Sequence, residues 1–328
     1  MSDAHPFVSL TPESILEAVE SLGYFSDGRL LALNSYENRV YQVGIEDAEP
    51  LIAKIYRPQR WSDEQILEDH QFCFELFENE VPVVCPLQLD NQTLFHYQNF
   101  RFALFPRRAG RAPELDNLDN LYRLGQWLGR IHAVGAVKRF QTRPTLDIKS
   151  FGEDSVAFIS GHFIPADLQQ AYDSLTADLL RKMKQIVAAH ESITTIRVHG
   201  DCHPGNILWR DDRPNFVDLD DARMAPAVQD VWMLLSGDRS QQLIQLSEVL
   251  EGYQDFYDFD LRELHLVEVF RTLRILHFSA WLGRRWQDPA FPRYFPWFNS
   301  ARYWGEHILQ LREQYAALFE PPLSIQRN

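Results

Sequence analysis

The stretch "VHGDCHPGNILWRDDRPNFVDLDD" (198–221) decides the fold, because it places many acidic and turn-forming residues between two apolar runs. The runs are "ITTIRV" (193–198) and "NFVDL" (215–219), which are rich in β-branched and aromatic residues. Such residues favour strands, whereas Gly, Pro, Asn and Asp favour turns. The sequence therefore predicts a loop held between two short strands, a common location for chemistry.

Three side chains of this loop are spaced for metal and proton chemistry. Asp201 and Asn206 are five residues apart, and Asp218 follows Asn206 by twelve. Two carboxylates within about 5 Å would repel each other by roughly 3 kcal/mol at an effective dielectric near 20, and a bound cation would offset this. Carboxylate and amide oxygens suit Mg²⁺, which takes few protein ligands beside water and phosphate oxygens. The spacing therefore predicts a site for a magnesium-bound nucleotide.

Two histidines in the loop, His199 and His203, stand four residues apart and could be interpreted as zinc ligands. A zinc-binding pair at this spacing normally lies on a helix. The glycines and the proline of "HGDCHPG" (199–205) are incompatible with such a helix. We therefore expect His199 to shape the loop by hydrogen bonding and Cys202 to be a packing residue.

The composition limits the class of protein. The chain has 328 residues, 45% of them hydrophobic, and 46 acidic residues against 32 basic ones give a net charge of -14. This charge opposes nonspecific attraction to nucleic acid or to an anionic membrane. The three cysteines suggest no disulfide framework, and residues 1–25 lack the features of a signal peptide. We therefore expect a cytoplasmic monomer with no nucleic-acid or membrane partner.

The secondary-structure pattern changes near residues 106–115. Before this point, short strand-like runs surround one helix predicted over 62–80, whose cap is Ser62 or Asp63. After it, apolar residues recur with a helical period over 117–135, 166–190 and most of 240–320. The sequence thus predicts an α+β chain with an antiparallel N-terminal sheet (1–106) and a larger, mainly helical C-terminal lobe (107–328).

The motifs "HGDCHPGN" and "VDLDD" resemble the catalytic loop and the metal motif of aminoglycoside and choline kinase-like enzymes, distant relatives of eukaryotic protein kinases. The resemblance implies a two-lobed protein kinase-like fold with Asp201 as the base. It also implies that Asn206 and Asp218 hold Mg²⁺, with Asp218 in the place of the DFG aspartate. A contact of Asp220 or Asp221 with the metal stays open.

A kinase site also needs a lysine for the nucleotide phosphates and an acid to hold that lysine. Lys54 lies in "LIAKIYR" (51–57), which resembles the VAIK strand of kinases. Glu68, fourteen residues further along on the predicted helix, is the expected partner, and Glu64 is the alternative. The other interpretation is an edge strand whose Lys54 faces solvent.

The segments that would contact the rest of the nucleotide are less distinctive. "LNSYENRVYQV" (33–43) has no glycine, unlike the phosphate loop of protein kinases, so polar Ser35, Glu37 and Asn38 are the predicted contacts. In "FALFPRRAGR" (102–111), the backbone of Leu104 and Phe105 is predicted to bind adenine as a hinge. Any apolar strand that ends at a proline would look similar.

Motifs along nearly the whole chain resemble the bacterial stress response kinase A (YihE/RdoA) family. They are "LNSYENRVYQV", "KIYRP", "HQF", "HGDCHPGNILWRD", "VDLDDAR" and "PAFPRYFPWF". The resemblance implies a cytosolic, ATP- and Mg²⁺-dependent serine/threonine protein kinase that acts in stress survival and phosphorylates protein hydroxyls, with autophosphorylation as an accompanying expectation. It also implies that Ser35 is a nucleotide-loop residue and that Asp201 and Asp218 are the active-site acids.

Two other functions stay open at this point. The first is a small-molecule kinase acting on an amino-alcohol, an aminoglycoside or a sugar, which the net charge does not distinguish from a protein kinase. The second is a pseudokinase that binds nucleotide without transfer. The joint presence of Lys54, Asp201, Asn206 and Asp218 argues against the second, because a degenerate site usually loses one of these groups. Asp230, in "PAVQDVWMLL" (226–235), is interpreted as a structural brace.

Overall fold

The N-terminal part of the chain is built on a five-stranded antiparallel sheet. The computed structural model describes residues 5–33 and 35–325, so positions 1–4, 34 and 326–328 of the predicted segments lie outside the described residues. The strand order is β1-β2-β3-β5-β4. The strands are β1 (Ser26–Ala32), β2 (Arg39–Ile45), β3 (Ala48–Ile55), β4 (Phe95–Tyr97) and β5 (Phe100–Pro106).

Two helices flank this sheet, and side chains cap both. Helix α1 (Pro12–Glu20) begins after Thr11, and α2 (Asp63–Glu78) begins after Ser62. Each cap forms a capping box, in which the side chain of the cap and that of the third helical residue satisfy each other's backbone N–H groups. The predicted helix over 62–80 is therefore found, and Ser62 is its cap.

The C-terminal part is mainly helical, with a two-stranded ribbon that carries the acidic loop. The ribbon pairs β6 (Ile196–Val198) with β7 (Arg223–Ala225) in antiparallel register. Helices α3 and α7 approach so closely that a Cβ atom at Gly125 would lie 2.0 Å from the carbonyl oxygen of Val249. The helices are α3 (Leu118–Val137), α4 (Asp154–His162), α5 (Gln169–Ala189), α6 (Val228–Val231), α7 (Arg239–Tyr253), α8 (Val267–Arg284), α9 (Ala290–Tyr294) and α10 (Ala301–Ala317).

The described residues form two large hydrophobic cores and a small third cluster of Tyr56, Ile66, Leu94 and Ala103. The sheet and α1 enclose the smaller of the two large cores, whereas α3, α5, α7, α8 and α10 enclose the larger one. Helix α2 lies between β3 and β4 in the sequence, but its Phe72 and Leu76 pack in the larger core, with the helices of the C-terminal part. The sheet ends at Pro106, the residue at which the sequence predicted the lobe boundary. Because α2 precedes this boundary and packs in the larger core, the division of the chain into two lobes at residue 106 stays a prediction.

The structure bears out the α+β class with an antiparallel sheet followed by a helical lobe. Among residues 5–33 and 35–325, no helix combines the length and the apolar character that a membrane span requires. The two cores leave a cleft where β3, the acidic loop and α8 meet, and the candidate site lies in this cleft.

Candidate active site

Backbone pairing within the acidic loop places Asn206 close to Asp218, the two residues that were predicted to hold Mg²⁺. An isolated bridge joins Ile207 to Phe216, and the N–H of Val217 donates to the carbonyl of Asn206 over 3.0 Å. Asn206 therefore lies beside the residue that precedes Asp218. Asp218 itself has φ 61° and ψ 59°, a left-handed conformation that aspartate tolerates better than most residues. The loop follows the first predicted strand as expected, but residues 215–219 form only isolated bridges, and the second strand of the ribbon is β7, after the acidic residues.

A buried carboxylate braces the start of this loop. Asp230 accepts hydrogen bonds from the backbone N–H groups of His199 and Gly200, both over 2.8 Å, and it contacts Nε2 of His132 at 3.1 Å. His199 contacts the carbonyl oxygen of Val217 through Nε2 at 3.0 Å. Both residues therefore have the structural roles that the sequence predicted for them, and His199 is engaged with the backbone rather than with a metal.

Asp201 reaches the cleft from the turn that follows this brace. Arg274 of α8 donates to its Oδ1, and His203 Nε2 lies 3.5 Å from its Oδ2. Burial alone would raise the pKa of Asp201, but the hydrogen bond from His203 and the charge of Arg274 lower it below its usual range. The carboxylate is therefore ionised at neutral pH and can accept a proton from a bound hydroxyl.

Lys54 crosses from the sheet to the acidic loop. Its Nζ atom lies 2.7 Å from Asp218 Oδ1 and 3.3 Å from Asp220 Oδ1. Burial alone would lower the pKa of Lys54, but the charges of Asp218 and Asp220 outweigh it and raise the pKa. The lysine therefore stays charged in the cleft, and the interpretation of an edge strand facing solvent is wrong because Lys54 is buried.

The predicted acid partner of Lys54 is wrong. Glu68 instead accepts from the backbone N–H groups of Gln141, Thr142 and Arg143, so it holds the loop after α3. Glu64, the alternative, has a lowered pKa because its own backbone and Ser62 hydrogen-bond to it at the exposed start of α2. Neither side chain forms a hydrogen bond or an ion pair with Lys54.

The acid of α2 that does face the cleft is Asp69. It is buried and lines the cavity, and burial raises its pKa to about 7 although the charges of Arg143 and Lys54 act in the opposite direction. Its Oδ1 atom has no hydrogen-bond partner among the described residues. The helical period could have revealed it, because Ile66, Asp69 and Cys73 lie on one buried face.

The predicted nucleotide loop lines the cleft, but protein groups already engage two of its three side chains. Asn38 donates to Asp220 Oδ2 over 3.0 Å and accepts from the N–H of Arg57. Glu37 lies 2.6 Å from Arg285 Nη2 and accepts from the Trp281 indole N–H. Ser35 lines the same cavity and bonds only to the local backbone.

Two arginines that the sequence did not single out join the segment after β3 to the helical lobe, and a third, Arg143, holds the acidic loop within that lobe. Arg57 pairs with Asp288 at 3.1 Å. Arg60 pairs with Asp220 and with Asp221, both at 2.9 Å. Arg143 donates to the carbonyl oxygens of Asp220 and Ala222. Burial would raise the pKa of Asp221, but Arg60 and Arg223 lower it far below its usual range.

The two residues of the predicted hinge differ in their position, and adenine binding by Phe105 stays a prediction. Phe105 lines the cavity and pairs with Ile52 across the sheet. Leu104, in contrast, is fully buried in the sheet core, and its carbonyl accepts from the N–H of Leu87 over 2.7 Å. The carbonyl of Leu104 is therefore already occupied by a protein donor. Its side chain faces the core, because alternate residues of a strand face opposite sides.

The residues predicted to hold Mg²⁺ fit a magnesium ion that keeps most of its own water and phosphate ligands. Asn206 uses its amide N–H to bind the carbonyl of Asp201 at 2.9 Å, which leaves its amide oxygen available. The side chain of Asp218 is 50% exposed. The described part of the chain contains no cluster of three or more His, Cys, Asp or Glu side chains able to hold a metal. Two oxygen ligands suit Mg²⁺ and not a zinc cage.

One cavity of about 810 Å³ is lined by Lys54, Asp69, Asp201, Asn206 and Asp218. One side is apolar and lies next to the sheet, with Val40, Ile52, Val84 and Phe105. The opposite side is formed by the acidic loop and α8. The volume is that of a small-molecule site, and the apolar side suits a planar base while the charged side suits phosphates.

Similarity to known proteins agrees with this geometry. The model of the phosphotransferase enzyme family (APH) matches residues 29–267. The chain is 45% identical over 327 residues to stress response kinase A of Escherichia coli strain K12, covering 99% of this chain and 98% of the relative. It is 44% identical over 324 residues to serine/threonine protein kinase RdoA of Salmonella typhimurium, covering 98% of each chain.

Solved structures share the fold at lower identity. An amicoumacin kinase in complex with AMP-PNP, Ca²⁺ and its ligand has a TM-score of 0.70 at 18% identity, covering 92% of this chain and 91% of the other. A microcompartment-associated aminopropanol kinase has a TM-score of 0.67 at 17% identity, covering 92% and 95%. The two-lobed kinase-like fold is therefore confirmed. The chain belongs to the phosphotransferase enzyme family and, within it, to the stress response kinase A family.

Proposed function

We propose that this phosphotransferase is an ATP- and Mg²⁺-dependent kinase that phosphorylates serine or threonine hydroxyls of proteins. The observation that carries the proposal is the contact of Lys54 with Asp218 at 2.7 Å in the cavity that Asp201 also lines. Phosphoryl transfer needs little more than positioning, charge neutralisation and a carboxylate at the attacking hydroxyl. These residues supply each requirement.

Each residue has one task in the proposed reaction. The oxygen of the acceptor hydroxyl bonds to the γ-phosphorus while the bond between that phosphorus and the ADP oxygen breaks. Asp201 accepts the proton of the hydroxyl in this step. Lys54 binds phosphate oxygens. Asn206 and Asp218 hold Mg²⁺, which when bound neutralises charge on the phosphate chain. A cytoplasmic location and a monomeric state accompany this proposal.

The choice of a protein acceptor is supported by the whole-chain similarity to a relative named as a serine/threonine protein kinase. The second candidate is a small-molecule kinase, and the names of the structural neighbours favour it, since they act on an antibiotic and an amino-alcohol. Those neighbours are below 20% identity and support the fold alone.

The experiment that separates the two candidates uses labelled ATP and Mg²⁺. The protein is incubated alone, with casein-like proteins, and with a panel of amino-alcohols, aminoglycosides and sugars. Label on serine or threonine of itself or of the added proteins is the expected result, identified by mass spectrometry. Label confined to the metabolites would contradict the protein-kinase assignment. ATP binding without any transfer would favour the pseudokinase.

A further inference from the structure

One face of α8 forms the wall of the cavity next to Asp201. Its members recur at helical spacing and all line the cavity: Phe270, Arg274, His277, Phe278 and Trp281. The nucleotide phosphates are proposed to lie at Lys54 and Asp218, on the other side of Asp201. The α8 face is therefore where an acceptor that presents its hydroxyl to Asp201 has to lie.

Arg274 is the charged residue of this face. Its guanidinium donates to Asp201, and within residues 5–33 and 35–325 it has no other hydrogen bond or ion pair. Its side chain is 44% exposed, so it is open to the cavity. Because His203 and Asn206 lie beside Oδ2 of Asp201, an acceptor hydroxyl that approaches Oδ1 takes the position of this guanidinium. Arg274 then needs a new negative partner.

The carboxylates that line the cavity offer little to a positively charged acceptor. Glu37 pairs with Arg285, and Asp221 pairs with Arg60 and Arg223. Asp218 and Asp220 pair with Lys54, and burial raises the pKa of Asp69 to about 7. Asp201 differs from the other described carboxylates that line the cavity. It is ionised, and an acceptor that approaches it would displace its partner, Arg274.

Guanidinium groups already lie against two of the aromatic rings that line the cavity, Phe151 and Trp281. The guanidinium of Arg223 lies 4.8 Å from the Phe151 ring centroid, and His277 stacks on the same ring at 4.1 Å. The guanidinium of Arg285 lies 5.4 Å from the Trp281 ring centroid, and Phe278 stacks on Trp281 at 5.7 Å. A ring already covered by a guanidinium is a poor cage for an ammonium group.

We propose that the α8 face selects an acceptor with an anionic group beside its hydroxyl, and that Arg274 leaves Asp201 to bind that group. This proposal rests on the proposed function and specifies its acceptor. The recognised chemistry is a carboxylate or phosphate close to the hydroxyl, as in a serine flanked by acidic residues. Arg274 is a specificity-determining residue in this scheme, because it binds the acceptor and not the transferred phosphoryl group.

The first test measures transfer. Three peptides share one serine and differ only in flanking residues that are acidic, neutral or basic. The native protein should give the highest kcat/KM with the acidic peptide, exceeding the basic one by about tenfold or more, which corresponds to about 1.4 kcal/mol. The variant Arg274→Glu should reverse this order. Arg312→Glu makes the same change in net charge at an exposed position of α10 and should leave the order unchanged.

The second test measures binding without transfer. The same peptides with alanine in place of serine are labelled with a fluorophore and titrated against the protein. The acidic peptide should bind more tightly to the native protein than the basic one, and Arg274→Glu should reverse the order. Thermal unfolding of each variant verifies that it is folded. This test remains informative if peptides are not phosphorylated.

The outcomes separate this proposal from its alternatives. Equal loss of kcat/KM for all three peptides in Arg274→Gln would mean that Arg274 binds the γ-phosphate, and would overturn the proposal. Phosphorylation of the peptides without a charge preference would overturn it and leave the protein-kinase function standing. Transfer confined to small hydroxy acids or sugar phosphates, lost in Arg274→Glu, would support the anion site and contradict the protein acceptor.

Discussion

The catalytic loop and the nucleotide loop are both rich in polar residues, but different contacts hold them in place. In the catalytic loop, Asn206 bonds to Asp201 and to Val217, which are near it in the sequence. In the nucleotide loop, Asn38 bonds to Asp220, 182 positions away, and Glu37 to Trp281, 244 positions away. The turn at Asn206 is held by nearby residues, with Asp230 bracing the start of its loop from within the same lobe, whereas the nucleotide loop depends on the approach of the two lobes.

This difference leads to different expectations for substitutions. A change in the catalytic loop that preserves its shape should remove chemistry and leave stability nearly intact, because the hydrogen bonds of the backbone persist. A change in the nucleotide loop should instead lower stability and nucleotide affinity together, because it leaves buried charges of the other lobe without partners. The predictions that follow test this contrast.

The largest expected effect belongs to Asp201→Asn. The amide keeps the size of the side chain but cannot accept the hydroxyl proton, so transfer should fall by roughly two or more orders of magnitude while ATP binding persists. Incorporation of label from ATP into the acceptor measures transfer, and ATP titration measures binding. Asp211→Asn, in the exposed turn of the same loop, is the matched control. Unchanged turnover in Asp201→Asn would refute the assigned base.

A second prediction concerns the metal. Asp218→Ala should abolish the Mg²⁺-dependent thermal stabilisation that ATP gives to the native protein, since Asn206 alone is a weak ligand. At a hundredfold excess of ATP over its Kd, the native stabilisation should be about 2.7 kcal/mol. Thermal unfolding with ATP, with and without Mg²⁺, measures it. If the variant shows the native shift, the metal role passes to Asp220 or Asp221.

The nucleotide loop is tested by Glu37→Gln. The substitution leaves Arg285 and Trp281 in place but removes the charge between them, so stability should fall by about 2 kcal/mol. The KM for ATP should rise in the same variant. Urea unfolding and steady-state kinetics provide the readouts. Glu49→Gln, on the exposed edge of β3, should change neither quantity, and equal effects of the two variants would mean that the loop is not clamped.

The part of the site that was predicted from the sequence is the part that is held locally. Asp201, Asn206 and Asp218 lie within eighteen positions and around one turn, so their spacing indicated their proximity. Lys54 was recognisable because a lysine within an apolar strand needs a partner. The pairing of Lys54 with Asp218 spans 164 positions, and no local pattern contains it.

The residues that were missed share a physical reason. Arg60 and Arg274 look like ordinary surface residues in the sequence, and only tertiary packing, between the lobes for Arg60 and within the helical lobe for Arg274, brings them to Asp220 and Asp201. Asp69 was missed for a different reason, since Glu68 is its neighbour and a helix turns by about a hundred degrees per residue. The buried residues Ile66, Phe72 and Leu76 set the phase of the helix, and Asp69 is buried with them.

The last prediction uses the pH dependence of stability to distinguish Asp69 from Glu68. The pKa of Asp69 is raised to about 7 in the folded protein, and an unfolded aspartate has a pKa near 4. The folded state therefore binds the proton more tightly, and the contribution of Asp69 to stability is fully present below about pH 4. It is lost as the pH rises to about 7.

The expected slope is a loss of at most about 1.4 kcal/mol for each pH unit in this range. Burial also raises the pKa of Glu263 to about 8, so the native slope has more than one source. The difference between the native protein and Asp69→Asn isolates Asp69, because asparagine mimics the protonated form. Urea unfolding at pH 5, 6 and 7 should show that the free energy of unfolding of Asp69→Asn rises relative to that of the native protein at each step. Parallel curves would mean that Asp69 is ionised throughout and already paired with Lys54.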